Sequence, residues 1–396
     1  MRLPTGVEYI TARLNGAGHR ADIVGGCVRD RLLGKEPSDY DITTDATPDE
    51  MREIFSDVHT LDVGIKHGTL TVIIDSVPYE VTTYRVDGTY SDGRHPDEVS
   101  FTERLSDDLA RRDFTVNAMC YNTKDGFTDL YFGKRDLDMR IIRAVGDPVL
   151  RFSEDALRIL RGLRFASTLD FDIEEKTSQA IFDLRTLLSK VSAERIFTEW
   201  KKLISGVGAY RIIREYSLLV AEIIPELQDL RLPDEEKFLI ASPEIRELSL
   251  FALSSEHPAR DYMSAMNRLK SDTKRKSLGE AVLSAVNLPA STKEELHVLL
   301  VKCGKECAEA VLELKLLLGF LDVSAFDLLK NTLESITCFS VKDMKINGED
   351  LKKLGFVGRD IGITLELLLY RIARGEIENK REELLLSAKE IFTSQN

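Results

Sequence analysis

No stretch of eighteen or more apolar residues occurs in this 396-residue chain, so nothing in it has the apolar length a bilayer-spanning helix needs. The opening residues, Met1-Arg2-Leu3-Pro4-Thr5-Gly6, lack the apolar core of a signal peptide, and a cytoplasmic location is expected. Cysteine is scarce too. Cys27, Cys120, Cys303, Cys307 and Cys338 are odd in number and scattered, which excludes a disulfide framework. Only Cys303 and Cys307 have i,i+4 spacing, and without a second cysteine pair they read as core packing rather than a zinc site. All five are read as reduced thiols. No repeat of fixed period stands out. Positive charge is also short: the formal net charge is −13, whereas nucleic-acid binding normally shows as a basic footprint. Any such footprint must be local. Between Arg111 and Arg164 there are eleven Lys or Arg against eight Asp or Glu, and Arg268-Leu269-Lys270 with Lys274-Arg275-Lys276 forms a second cluster. A basic groove within an acidic surface remains compatible with the composition.

The length suits two to four domains. The most informative stretch runs from Ile23 to Thr44. An apolar run, Ala21 to Val24, ends at Gly25-Gly26; Cys27 to Leu33 reads as one or two helical turns, and Gly34 stands where a helix C-terminal glycine belongs. A second strand then carries Asp39 and Asp41, which alternation places on one face about 6 to 7 Å apart. Two carboxylates so placed call for a cation. Glycines ahead of a helix let backbone N–H groups approach a phosphate, and Arg29 lies one turn in. A phosphate cradle followed by a hard-cation site is the layout of metal-assisted nucleotidyl transfer.

Around this stretch the pattern is α/β with a mixed or antiparallel sheet. Val7, Ile10 and Leu14 mark an amphipathic first helix, and Thr47-Pro48-Asp49-Glu50 is a helix start with Thr47 as N-cap. His67 to Asp75 and Tyr79 to Arg85 read as paired strands with the bend at Asp75 to Pro78. Glu80 completes a three-carboxylate site if its strand lies beside that of Asp39 and Asp41; otherwise it is a solvent-facing strand glutamate. Val86 to Pro96 is rich in turn formers and reads as a mobile loop.

Gly25-Gly26-Cys27-Val28-Arg29-Asp30 through Asp39-Tyr40-Asp41 resembles the first motif of the class II tRNA nucleotidyltransferase and bacterial poly(A) polymerase family, within the polymerase-β-like nucleotidyltransferases. The resemblance implies that Asp39 and Asp41 are catalytic and hold Mg²⁺, and that Gly26 and Arg29 contact the incoming nucleotide. Arg111-Arg112-Asp113-Phe114-Thr115-Val116-Asn117-Ala118 resembles the second motif, implying nucleotide contact by Arg112 and ribose selection by Asp113. Asp129 to Leu137 resembles the third, a connector with hinge-like features around one glycine. In this family a flexible loop at the position of Val86 to Pro96 is kept by enzymes that add the terminal A. No His-Asp dipeptide occurs, which argues against the metal phosphohydrolase domain appended to some relatives.

From Ser153, Ala156, Ile159, Leu160 and Leu163 gather on one side of a helix, with Asp155, Arg158, Arg161 and Arg164 on the other. Glu154-Asp155-x-x-Arg158 resembles the fourth motif, whose Asp and Arg read the base edge; as i,i+3 neighbours they pair an acceptor with a donor fork, a combination that suits both cytosine and adenine. The same resemblance implies that Arg161 and Arg164 support that reader or touch nucleotide. Ser192 to Trp200 resembles the fifth motif, which implies that it braces the neck. Asn347 to Leu351, Gly355 to Gly362 and Gly375 to Asn379 resemble the tail of bacterial CCA-adding enzymes, which holds the tRNA elbow. The expected architecture is a catalytic head, 1–140, followed by an all-α neck (141–225), body (226–330) and tail (331–396). The expected function is template-independent addition or repair of the tRNA 3′-terminal CCA from CTP and ATP. An A-adding enzyme, a poly(A) polymerase and a non-catalytic tRNA-binding relative are the alternatives. Oligomeric state is not legible.

Overall fold

The computed structural model describes residues 3–88 and 99–395; most of the Val86 to Pro96 loop therefore lies outside the described residues. The chain divides into two units, 1–223 and 224–396.

Unit 1 opens with α1 (Thr5–Gly16), which buries Val7, Ile10 and Leu14 as the apolar spacing predicts. Next come β1 (Ala21–Val24), α2 (Gly26–Leu32), β2 (Asp41–Thr44) and α3 (Pro48–Ile54). The last begins with the expected capping box between Thr47 and Glu50, with Pro48 in the first turn. Then follow β3 (Thr60–Leu61), β4 (Thr69–Ile74) and β5 (Val77–Thr83). The β4–β5 bend is tighter than the sequence suggested: Asp75 and Ser76, both at positive φ, make the turn alone, and Val77 and Pro78 already belong to β5. β6 (Arg85–Asp87) and β7 (Val99–Phe101) form a separate hairpin ladder, followed by α4 (Leu105–Ala110), β8 (Met119–Asn122) and β9 (Gly126–Asp129).

Seven strands make one mixed sheet in the order β3-β4-β5-β2-β1-β8-β9. Every pairing in it is antiparallel except β2 with β5, which is parallel. That single parallel pair matters, because its register sets Asp41 against Glu80. The chain continues through α5 (Gly133–Asp138), β10 (Ile141–Ile142), α6 (Pro148–Glu154), α7 (Leu157–Leu169), β11 (Asp172–Ile173), α8 (Glu175–Asp183) and α9 (Ala193–Ile204). α7 packs on α9 and buries Ile159, Leu160, Leu163 and Phe165. The hinge-like glycine of the third motif is in fact wedged. A Cβ on Gly133 would stand 2.1 Å from the Thr115 carbonyl oxygen, and Asp129 accepts from the N–H groups of Gly133 and Lys134 at 2.8 and 2.9 Å.

Unit 2 is helical throughout its regular structure. Its last part has its own apolar cluster, from Cys338 and Met344 through Leu368 and Leu369 to Leu384 and Ile391. The basic cluster at Arg268 to Lys276 is largely ion-paired: Arg268 with Glu226, Lys274 with Glu306, and Arg275 with Glu244 and Glu247. No helix among the described residues is long and apolar enough to cross a membrane.

Candidate active site

β1 ends at Val24, and the chain turns at Gly25, whose φ of +84° and ψ of −134° belong to glycine alone. The turn is pressed against the centre of the sheet, with Gly25 N–H donating to the Met119 carbonyl at 3.2 Å. A Cβ here would lie 3.2 Å from Arg112 Nη1 and 3.9 Å from Asp41 Oδ2. Turn, guanidinium and carboxylate thus meet at one point. β2 begins at Asp41, so Asp39 precedes the strand rather than lying within it, yet the expected alternation holds: Asp39 and Asp41 are exposed while Tyr40 between them is buried.

Glu80 stands directly across from Asp41 on β5. The surrounding protein pushes the Asp41 carboxyl up to about 6, the nearby charges of Asp39 and Glu80 add to the rise, and Arg112 offsets part of it. Among the described residues no three His, Cys, Asp or Glu side chains converge as a closed metal cluster. Two carboxylates open to solvent, with a third acid beside them, fit a hard cation that takes its remaining ligands from substrate phosphates and water.

The second motif supplies the floor. Asp108, fully buried, receives Arg111 at 2.5 and 3.0 Å and Arg112 at 3.2 Å. Arg112 Nε is buried and has no hydrogen-bond partner among the described residues. Asp113 is held by four donors: Phe114 N–H (2.8 Å) and Asn117 Nδ2 (3.2 Å) on one oxygen, Arg161 Nε (2.7 Å) and Nη2 (2.6 Å) on the other. Burial alone would raise its carboxyl; Arg161, Asn117 and the charge of Arg158 outweigh that and hold it at about 2. Asn117 also accepts from Arg29 Nη1 at 2.6 Å. Arg29, nearly buried, is further paired with Asp30 at 2.8 Å.

The Phe165 ring gathers three guanidinium groups: Arg29 at 5.2 Å, Arg161 at 5.4 Å and Arg164 at 3.8 Å from its centroid. Arg164 forms an ion pair with Glu199 of α9 at 3.0 Å. Burial lowers Arg164 to about 10; Arg161 and Arg29 push the same way, against the pull of Glu199 and Asp113.

The base-reading helix predicted from Ser153 is two helices. α6 stops at Glu154, Asp155 is extended (φ −138°, ψ 103°), and α7 starts at Leu157. The cause is local: Asp155 Oδ1 accepts from Leu157 N–H at 3.0 Å, an Asx turn that competes with helix continuation. Asp155 and Arg158 therefore do not share one helix face, and each has another partner. Asp155 pairs with Arg195 at 2.7 Å. Arg158 pairs with Glu154 at 2.6 Å and donates to the carbonyls of Arg151 and Arg111.

Of the predicted residues, Asp41, Arg112, Arg29, Asp113, Arg161 and Arg164 are linked through the Gly25 turn, Asn117 and Phe165, and a Cβ on Gly26 would stand 3.5 Å from Arg29 Nη2; Asp39 acts on Asp41 through its charge, and Asp155 and Arg158 are each held by a neighbour. Asn117, Phe165, Glu199, Arg195 and Glu154 belong to the same network and were not singled out from sequence. Asn117 lies inside the Arg-Arg-Asp-Phe-Thr-x-Asn-Ala run, and Arg195 and Glu199 inside Ser192 to Trp200, so motif membership was the available signal.

Three family models match the chain: the poly A polymerase head domain over residues 21–143, "Probable RNA and SrmB- binding site of polymerase A" over 170–230, and tRNA nucleotidyltransferase domain 2 over 242–388. The CCA-adding enzyme of Enterococcus faecalis is 36% identical over 96% of this chain and 94% of its own length. That of Streptococcus suis is 34% identical over 98% and 96%. The crystal structure of the Bacillus stearothermophilus CCA-adding enzyme in complex with CTP superposes with a TM-score of 0.83 at 29% identity, covering 100% of this chain and 99% of that one.

Proposed function

The chain belongs to the CCA-adding enzymes, a family of tRNA nucleotidyltransferases, and from that premise we propose that it builds or repairs the 3′-terminal CCA of tRNA, using CTP and ATP and releasing pyrophosphate. The observation that carries the reading is the meeting of Asp41, the Gly25 turn and Arg112 beside Glu80, backed by the guanidinium cluster on Phe165.

In the reaction, the RNA 3′-hydroxyl attacks the α-phosphorus of the nucleotide, a phosphodiester forms and the bond to pyrophosphate breaks. Asp39 and Asp41 are the residues that would hold Mg²⁺; when bound, such an ion makes the hydroxyl more acidic and offsets charge on the leaving group. Gly25 and Gly26 let the triphosphate come close to backbone. Arg112, with its unpartnered buried Nε, and Arg29 offer N–H groups and positive charge to phosphate oxygens. Asp113, fixed by four donors and ionised across the neutral range, orients the ribose. Asp155 and Arg158 present an acceptor and a donor fork to the base edge, exchanging the partners Arg195 and Glu154 for the nucleotide; Arg161 and Arg164 hold that reader in place.

The head (1–140), neck (141–225), body (226–330) and tail (331–396) division belongs to the same reading, with the tail on the tRNA elbow. A boundary between units at 223/224 and the separate tail cluster support it. Five free thiols fit a reducing, cytoplasmic setting. The test is to offer tRNA transcripts lacking CCA, or ending in C or CC, with labelled CTP or ATP. Both labels are incorporated by the wild type and neither by Asp39→Ala or Asp41→Ala. Incorporation of ATP alone would replace this reading with A addition, and full activity of the alanine variants would remove the enzymatic reading altogether.

A further inference from the structure

Phe132 is unexplained by the fold. It sits between β9 and α5 with φ +60° and ψ +29°, a left-handed conformation that bulky residues seldom adopt. Packing does not compensate for it, because the side chain is 70% exposed. The neighbouring residues enforce the conformation. Asp129 caps the N–H groups of Gly133 and Lys134, Gly133 is wedged against Thr115, and Thr115 Oγ1 donates to Asp136 at 2.7 Å. Tyr131, one residue earlier, turns the other way and packs on Val24, Leu109 and Cys120. The chain thus lays one aromatic ring half-buried against the core and holds the next one out in solvent.

The sheet fixes where that second ring lies. Val24 is opposite Cys120, Met119 is opposite Asp129, and Gly25 bonds to Met119. The end of β9 is therefore at the same edge of the sheet as the Gly25 turn and Asp41, two strand spacings or about 10 Å from the turn. Leu130, 48% exposed, precedes the ring. The exposed Lys134 and Arg135 follow it; Lys134 pairs with Asp138 at 2.9 Å, whereas Arg135 forms no ion pair among the described residues. An exposed aromatic ring with a solvent-facing arginine three residues on is a pairing with which proteins hold unpaired bases without reading their sequence.

We propose that Phe132 is a stacking platform for an unpaired base of the RNA substrate, just behind its growing 3′ end. The platform orients the acceptor strand and takes no part in nucleotide choice. This rests on the tRNA nucleotidyltransferase reading above.

The test uses the full chain with Phe132→Gly, Phe132→Leu and Phe132→Trp, and a tRNA carrying 2-aminopurine next to its 3′-terminal nucleotide. Phe132→Gly and Phe132→Leu are expected to raise KM for tRNA about fivefold to a hundredfold, the range of one lost base–aromatic stack. KM for CTP should stay within about twofold, and the quenching of 2-aminopurine fluorescence on binding should disappear. Phe132→Trp keeps both properties. Phe132→Gly should melt no lower than wild type, since glycine tolerates φ +60°, so a loss of RNA affinity cannot be put down to misfolding. An active wild type whose Phe132→Gly form has unchanged KM for tRNA, or unchanged quenching, overturns the proposal. A wild type that incorporates neither CMP nor AMP into any tRNA overturns the underlying reading instead.

Discussion

Replacing Asp113 by asparagine changes one oxygen to an NH₂ at nearly constant volume, yet either orientation of the amide fails. With Nδ2 toward Arg161 it faces two donors, and with Nδ2 toward Phe114 N–H and Asn117 it faces two others. The wild-type carboxyl is held at about 2 against an ordinary 3.8, which by itself corresponds to roughly 2 to 3 kcal/mol of folding stability at neutral pH. Stranding the half-buried Arg161 charge beside Arg164 adds a penalty reduced by solvent screening and brings the expected loss to about 3 kcal/mol. For a unit of this size that lowers the melting midpoint by roughly 6 to 12 °C. The sign of the pH dependence follows from the depressed carboxyl. Its contribution is complete above the unfolded value near 3.8 and is lost as pH falls through about 2. Wild type should therefore lose stability steeply between pH 4 and pH 2 (about the two pKa values), Asp113→Asn should lose less, and the two should converge at the acid end. Thermal melts by circular dichroism at neutral pH, with urea titrations across the acid range, measure both effects. A variant melting within about 1 °C of wild type at pH 7, or acid limbs that run parallel, would refute the reasoning.

Gly25→Ala forces a Cβ into a backbone region that costs about 1 to 3 kcal/mol for any other residue and places it 3.2 Å from Arg112 Nη1. KM for both nucleotides should rise about tenfold while the far-ultraviolet spectrum is retained; unaltered nucleotide kinetics would show that the turn does not face the triphosphate. Glu80→Gln, across from Asp41, should weaken the apparent Mg²⁺ affinity in steady-state assays and recover at saturating metal. An identical metal titration would return Glu80 to the status of a strand residue on a wet face.

Sequence pointed to the candidate site through features that are local. Gly25-Gly26, Asp39 and Asp41, and the Arg112-Asp113 run are short-range patterns whose chemistry is carried by spacing, and capping at Thr47 is local as well. What it missed depends on contacts across long separations or on competition between two local preferences. The pairing of Asp155 with Arg195, forty residues away, leaves no periodic trace. The break between α6 and α7 arises because an aspartate can bond its own backbone, a preference that the surrounding helical pattern concealed. Glu80 could not be placed until the parallel register of β2 and β5 was known, because a slip of one residue would send it to the opposite face. The Arg268 to Lys276 cluster looked like free positive charge, and only the fold supplied the glutamates that neutralise much of it.

The Phe165 ring carries a consequence of another kind. Arg29, Arg161 and Arg164 crowd on it, and burial above all, with Arg161 and Arg29 adding to it, lowers the basicity of Arg164. Each of the three already faces a carboxylate, Asp30, Asp113 or Glu199, so a multivalent anion reaches the cluster only by competing with those carboxylates. On the proposed reading, pyrophosphate, released at the end of each cycle, is drawn by the same groups that attract the triphosphate. Turnover would then depend on how readily the enzyme gives up its product, and phosphate or sulfate in a buffer would act as a weak competitor and a stabiliser at the same time.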